Sequence, residues 1–329
     1  MIEVERLSKR YGEVSAIRDV SFAARPGEVT GFLGPNGAGK TTTMRILTGF
    51  MPPSSGRAIV AGHDVFTDSM EVRRRVGYLP ENVPLYRDMT AIGYLKFIAD
   101  IRGLRDGKRR AREVLERVDL LPRANSRIRT LSKGMRQRVG VAQALIHDPE
   151  VLILDEPTIG LDPFQVLELR DLVRVLGRDH TVLFSTHILS EAEQICDQVV
   201  IIDRGQIMAQ GSPQALRSEL ESGRPVVLRV EAPLDEALAL VSALPEVERA
   251  GISADGITAT PANPEQDPRP AIARAVLERG WALNELRSVA VTLEDIFLEV
   301  AGSHAPSEEP SGEAETLADL MEEDEVSHA

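Results

Sequence analysis

An α/β fold whose parallel sheet binds phosphate at one edge is what this sequence predicts, and three observations predict it. The first is Gly34-Pro35-Asn36-Gly37-Ala38-Gly39-Lys40-Thr41-Thr42, a glycine-rich turn between an apolar strand, Glu28–Leu33, and a helix, Thr42–Gly49. The second is Val151–Leu154, four apolar residues that run directly into Asp155-Glu156. The third is the alternation of further strands, Val182–Ser185 and Val199–Asp203, with helical patterns, which calls for crossover connections and parallel pairing.

Taken in order, Ile2–Ala24 alternates apolar and polar residues and reads as antiparallel strands that turn at Tyr11-Gly12. In the glycine-rich turn beyond them, backbone N–H groups can point inward unobstructed, and the helix start adds partial positive charge. Lys40 can reach the outer phosphates of a nucleotide, and the Thr41 hydroxyl can ligate Mg²⁺. Arg57–Val60 is another strand. Residues 69–122 then change to Arg-rich helical patterns, Met89–Arg102 and Lys108–Leu121, and a further helix runs from Ser132 to His147. The stretch of about 88–147 is therefore expected to be a helical insertion. Asp155 and Glu156 should stand at the carboxyl end of a central strand, where open α/β sheets bind ligands. Asp155 is placed to hold Mg²⁺ directly or through water, and Glu156 to accept a proton from water. Gly205-Gln206 links two strands, and Ser212–Glu221 closes a first domain of 1–222.

Beyond Gly223-Arg224-Pro225 the expected order is strand Val226–Glu231, helix Asp235–Leu244, strands Val247–Ile252 and Gly256–Thr260, helix Pro270–Arg279 and strand Ala282–Arg287. That is βαββαβ, a ferredoxin-like plan for a domain of 224–300, with Trp281 in its core and a last helix, Leu293–Val300. From residue 303 to 329 the chain is an acidic, Pro/Ser/Glu-rich tail expected to stay disordered.

Composition narrows the function. The 329 residues are 43% hydrophobic and 27% charged, and no apolar run reaches the length of a membrane span. The start, Met1-Ile2-Glu3-Val4-Glu5, lacks the pattern of a signal peptide, and one cysteine, Cys196, suits a reducing compartment, so a cytoplasmic location is expected. The net charge is −13, but nine of the acids lie in the tail, which leaves a near-neutral body with no footprint for nucleic acid. Arg73-Arg74-Arg75 and Lys108-Arg109-Arg110 are short runs without aromatic partners and read as solvated helix faces.

Leu131-Ser132-Lys133-Gly134-Met135-Arg136-Gln137-Arg138 stands before the Asp155-Glu156 strand. With the glycine-rich loop ahead of it and Asp155-Glu156-Pro157 behind, it resembles the signature of ATP-binding cassette (ABC) ATPases, over about residues 2–220. The resemblance implies that Ser132 and Gly134 face the γ-phosphate of ATP held by an opposite subunit. Ser132 would also cap its own helix. It implies, further, that Tyr11 stacks on adenine, where local packing is the other reading. It makes His187 a switch that touches the γ-phosphate, and Gly160-Leu161-Asp162 a contact between subunits. Glu81, in Gly77-Tyr78-Leu79-Pro80-Glu81, stands where the family usually has Gln; it either ligates Mg²⁺ or only senses it. Lys133 and Met135 depart from the commonest signature, Leu-Ser-Gly-Gly-Gln.

As a whole, the resemblance implies an ATP- and Mg²⁺-dependent ATPase, paired as a homodimer or with a similar cassette subunit. It would serve an integral-membrane permease and sit peripherally at the inner face of the plasma membrane. Residues 224–300, ending in Val291-Thr292-Leu293-Glu294-Asp295-Ile296-Phe297-Leu298, look like the small C-terminal domain of exporter-type members. An importer subunit or a non-transport ABC ATPase is the alternative, and the fold of 224–300 separates exporter from importer.

Overall fold

The computed structural model describes residues 1–221, 225–253, 256–263 and 266–288. The chain divides between Gly211 and Ser212 into two compact units, upstream of the Gly223 break. In the first, elements run in the order β1 (Ile2–Tyr11), β2 (Val14–Ala24), β3 (Val29–Leu33), α1 (Lys40–Leu47), β4 (Ser55–Val60), β5 (His63–Asp64), α2 (Ser69–Arg75) and β6 (Val76–Leu79). Helices α3 (Ala91–Ile101), α4 (Gly107–Arg117) and α5 (Lys133–Leu145) come next, then β7 (Val151–Leu154), α6 (Pro163–Gly177), β8 (Thr181–Thr186), α7 (Leu189–Ile195), β9 (Gln198–Asp203) and β10 (Gln206–Gly211).

These strands form two sheets. A six-stranded sheet has the order β10-β9-β3-β8-β7-β6, and a four-stranded antiparallel sheet the order β2-β1-β4-β5. Every pair of the larger sheet is parallel except the β9–β10 hairpin at its edge. Its inner strands are mostly apolar rather than alternating because both faces are covered; all of β3 and β7 is buried. Phe32, Met44, Leu47, Ile153 and Leu183 pack with Leu7, Ile17 and Phe22 of the small sheet into one core, where the Phe22 and Phe32 rings lie 5.1 Å apart.

Parallel pairing is what makes a site possible here. Loops after β3, β8, β7 and β6 leave the same edge of the sheet, and these four parallel strands follow one another within it in the order β3-β8-β7-β6. The residues after β6 join them through β7, since the Asp155 N–H donates to the Leu79 carbonyl at 2.8 Å. Strand β6 adds to the sequence reading, in which helical patterns replace strands within residues 69–122. Four residues between Arg-rich helices give no alternation to read; their extended form is set by the ladder to β7 across the insertion.

The second unit contains α8 (Pro213–Glu221), β11 (Val226–Glu231), α9 (Leu234–Ser242), β12 (Val247–Ser253), β13 (Gly256–Pro261), α10 (Arg269–Glu278) and β14 (Ala282–Ser288). Its antiparallel sheet has the order β12-β13-β11-β14, which is the ferredoxin-like arrangement expected. Val226, Leu228, Ile257 and Ala259 bury against Ala237, Val241, Ile272 and Val276 of the two helices. Trp281 packs on this core from just before β14. The expected helix Leu293–Val300 and the acidic tail lie outside the described residues.

Candidate active site

The turn after β3 is built on close approach. A Cβ at Gly34 would overlap the Ile202 carbonyl oxygen of neighbouring β9, and Gly39 has φ 104° with Ile17 2.6 Å from its would-be Cβ. Only glycine fits both places, so the backbone from Gly34 through Pro35, Asn36, Gly37, Ala38 and Gly39 wraps tightly into α1. Lys40, 6% exposed, donates to the carbonyls of Gly34 at 2.7 Å and Pro35 at 3.2 Å. Its ammonium also lies 3.1 Å from Glu156 Oε1. A phosphate in the loop offers that ammonium an anionic oxygen in place of two neutral carbonyls.

Asp155 and Glu156 come directly after β7, nearly enclosed. Ser185, at the end of adjacent β8, holds both: its Oγ donates to Asp155 Oδ1 at 2.6 Å and accepts the Glu156 N–H at 2.9 Å. Burial pushes the Asp155 carboxyl above its usual range, against hydrogen bonds from Ser185 and the Thr41 hydroxyl that favour the charged form. An oxygen pair of this kind, Thr41 and Asp155, suits a small hard cation that completes its shell with phosphate oxygens and water. Among the described residues no group of three or more His, Cys, Asp or Glu is arranged as a metal cage.

Glu156 stands in the left-handed region, φ 46°, a strained conformation held by its surroundings. One carboxylate oxygen, Oε2, has His187 Nδ1 at 2.8 Å. The other, Oε1, is charge-paired with Lys40 but has no hydrogen bond of good geometry. A buried acceptor with spare capacity beside a phosphate loop is positioned to take a proton from water. His187, 38% exposed, turns its remaining ring nitrogen away from Glu156.

A cavity of about 510 Å³ opens over this loop, bordered by Lys40, Thr41, Thr42, Glu81 and Glu156. It brings together most of the residues singled out from sequence. Tyr11 is not on its wall: the ring sits under Lys9 Nζ at 5.2 Å, its hydroxyl meets Met51 Sδ, and Val14, Ser15 and Ala16 of β2 line the cavity instead. Ser132 and Gly134 are elsewhere too. They border a second cavity of about 270 Å³ with Leu120, Phe164 and Gln165, and Ser132 caps α5 by accepting the Met135 N–H at 3.2 Å. Sequence reasoning gave no role to Ser185, nor to Arg18, Arg45 and Arg204, which also line the larger cavity. The signal for Ser185 was its place at the end of a strand adjacent to the acidic one.

Known proteins resemble this chain in sequence and in fold. The ABC transporter family model matches residues 17–159. A daunorubicin resistance ATP-binding protein, DrrA3 of Streptomyces coeruleorubidus, is 36% identical over 308 residues, 92% of this chain and 96% of that protein. Nod factor export ATP-binding protein I of Ralstonia nicotianae is 38% identical over 310 residues, 92% of this chain and 94% of its own length. Among solved structures, an ATP-binding subunit of an ABC transporter superposes with a TM-score of 0.60 at 33% identity, covering 67% of this chain and 93% of that one.

Proposed function

The chain belongs to the ABC transporter ATP-binding proteins, and from that premise we propose that two cassettes close head to tail over ATP and Mg²⁺ to drive export through a separate permease. The observation that carries hydrolysis is the buried Glu156, held between Lys40 and His187 at the sheet edge. Lys40 and the N–H groups at the start of α1 bind the phosphates. Thr41 and Asp155 would hold Mg²⁺, with Glu81 on the cavity wall within the same site; the ion supplies charge neutralisation at the phosphate oxygens. Glu156 removes a proton from the attacking water, whose oxygen bonds the γ-phosphorus as the bond to the β-phosphate oxygen breaks. His187 orients Glu156 through Oε2. Ser132 and Gly134, at the start of α5 and bordering a cavity other than that of their own phosphate loop, serve the nucleotide of the opposite cassette.

The partner reading rests on a third concave surface. Among the described residues no helix is long and apolar enough to cross a membrane. Beside β6 and the insertion lies a groove of about 720 Å³ lined by Phe50, Met70, Tyr78, Pro80 and Ile101, of which Phe50, Met70 and Ile101 are 65%, 59% and 67% exposed. An apolar surface of this kind fits a cytoplasmic helix of a permease. Arg45 borders both this groove and the phosphate-loop cavity, and the Tyr78 hydroxyl lies 3.5 Å from Asp155 Oδ2. The protein would then sit on the cytoplasmic face of the membrane through its permease. Export is favoured by the relatives named for daunorubicin resistance and Nod factor export and by the βαββαβ second unit.

Glu81, directly after the groove residue Pro80 and on the wall of the phosphate-loop cavity, gives the test. Glu81→Ala is expected to reduce permease-stimulated ATP hydrolysis about tenfold or more while basal hydrolysis changes by about twofold or less. Equal loss of both rates in reconstituted vesicles would make Glu81 an ordinary ligand rather than a coupling residue.

A further inference from the structure

We propose that Glu191 is a positioning residue for hydrolysis, one carboxylate that fastens the Glu156 loop to the His187 loop. The inference rests on the reading of Glu156 as the base. Glu191 lies in the first turn of α7, and its Oε2 accepts the Thr158 hydroxyl at 2.7 Å and the Thr186 hydroxyl at 3.3 Å. Thr158 belongs to the turn after Glu156, closed by the Ile159 N–H to the Glu156 carbonyl at 3.1 Å. Thr186 immediately precedes His187, and its Oγ1 also accepts the Ile188 N–H at 3.0 Å. A single oxygen therefore spans the exits of β7 and β8.

Both threonines are shut away from solvent, at 3% and 0% exposure. An acid that served only the helix start would stay in water, where its charge is cheapest. Glu191 is instead drawn inward: burial raises its carboxyl above the usual range and the nearby Glu156 charge adds to this, while the two hydroxyls and His187 act the other way. The arrangement matters because Glu156 sits at φ 46°, a conformation that persists only when neighbours over-determine it. Ser185 restrains that backbone from one side, and Thr158, anchored on Glu191, restrains the turn beyond it. Freed from Glu191, the base and its histidine can each shift by up to about 1 Å and lose register.

Steady-state ATP hydrolysis by the full chain tests this. Glu191→Ala is expected to lower kcat by about 10–100-fold, since a displacement of about 1 Å can cost that much, with KM for ATP within about twofold. Glu191→Gln keeps a carbonyl oxygen for the two hydroxyls and should stay within about threefold of the parent rate. Thr158→Val should lose part of the same activity, and adding it to Glu191→Ala should cost little more, because both remove one link. Parental kcat in Glu191→Ala, or Glu191→Gln as slow as Glu191→Ala, would overturn the proposal. Retained turnover in Glu156→Gln, measured alongside, would overturn the base assignment itself, so the two failures are distinguishable.

Discussion

Glu156→Gln is expected to keep ATP bound while phosphate release falls by about 10²–10⁴-fold, the range of a lost general base. The amide is nearly isosteric and can still meet His187 Nδ1 and lie beside Lys40, so the loop and its cavity should persist. It cannot, however, take a proton from water. With hydrolysis stopped and ATP retained, closed dimers should accumulate in the presence of ATP and Mg²⁺, visible as a doubling of mass by light scattering. Near-parental phosphate release by the variant would show that another group activates the water.

Lys40→Ala acts on a different step. The ammonium lies inside the tight turn after β3, held there by the Gly34 and Pro35 carbonyls. Hydrogen bonds to charged groups contribute about 1.5–3 kcal/mol each, so losing two phosphate contacts should weaken ATP binding by about 10²–10⁴-fold. The variant should also be less stable without nucleotide. Removing one partner of a buried pair costs about 3–5 kcal/mol, and the lower end applies because His187 still faces Glu156. Combining Lys40→Ala with Glu156→Gln should restore part of that stability in urea melts while leaving ATP affinity low. Unchanged affinity in Lys40→Ala, read by calorimetry, would remove the lysine from phosphate binding.

The elements that sequence exposed are those whose meaning is local. Gly34 to Thr42 carries its chemistry in consecutive residues, and Val151–Leu154 announces a buried strand by its length and apolarity before Asp155-Glu156 ends it. The second unit was legible for the same reason, each strand being bounded by turn residues, and its strand order then came with them. The features that stayed hidden depend on partners distant in the chain. Strand β6 is extended because β7 lies beside it, and nothing within Val76–Leu79 says so. Ser185 and Glu191 are ordinary polar residues until β8 is laid next to β7, when one hydroxyl and one carboxylate come to bridge two loops. Tyr11, singled out by the family resemblance for a nucleotide contact, has its ring under Lys9 and its hydroxyl against Met51.

The central claim is that the hydrolytic site is shared between two chains, the phosphate loop from one and Ser132 with Gly134 from the other. The separate cavities that these residues border in one chain support it. Ser132→Arg should place a bulky cation at the start of α5 and silence hydrolysis without touching the phosphate loop. The most direct measurement is ATPase activity after mixing Lys40→Ala chains with Ser132→Arg chains. A mixed dimer then holds one doubly damaged site and one intact site, so activity should rise well above that of either variant alone. Mixed dimers proven by differential tagging, yet no more active than their parents, would contradict a composite site.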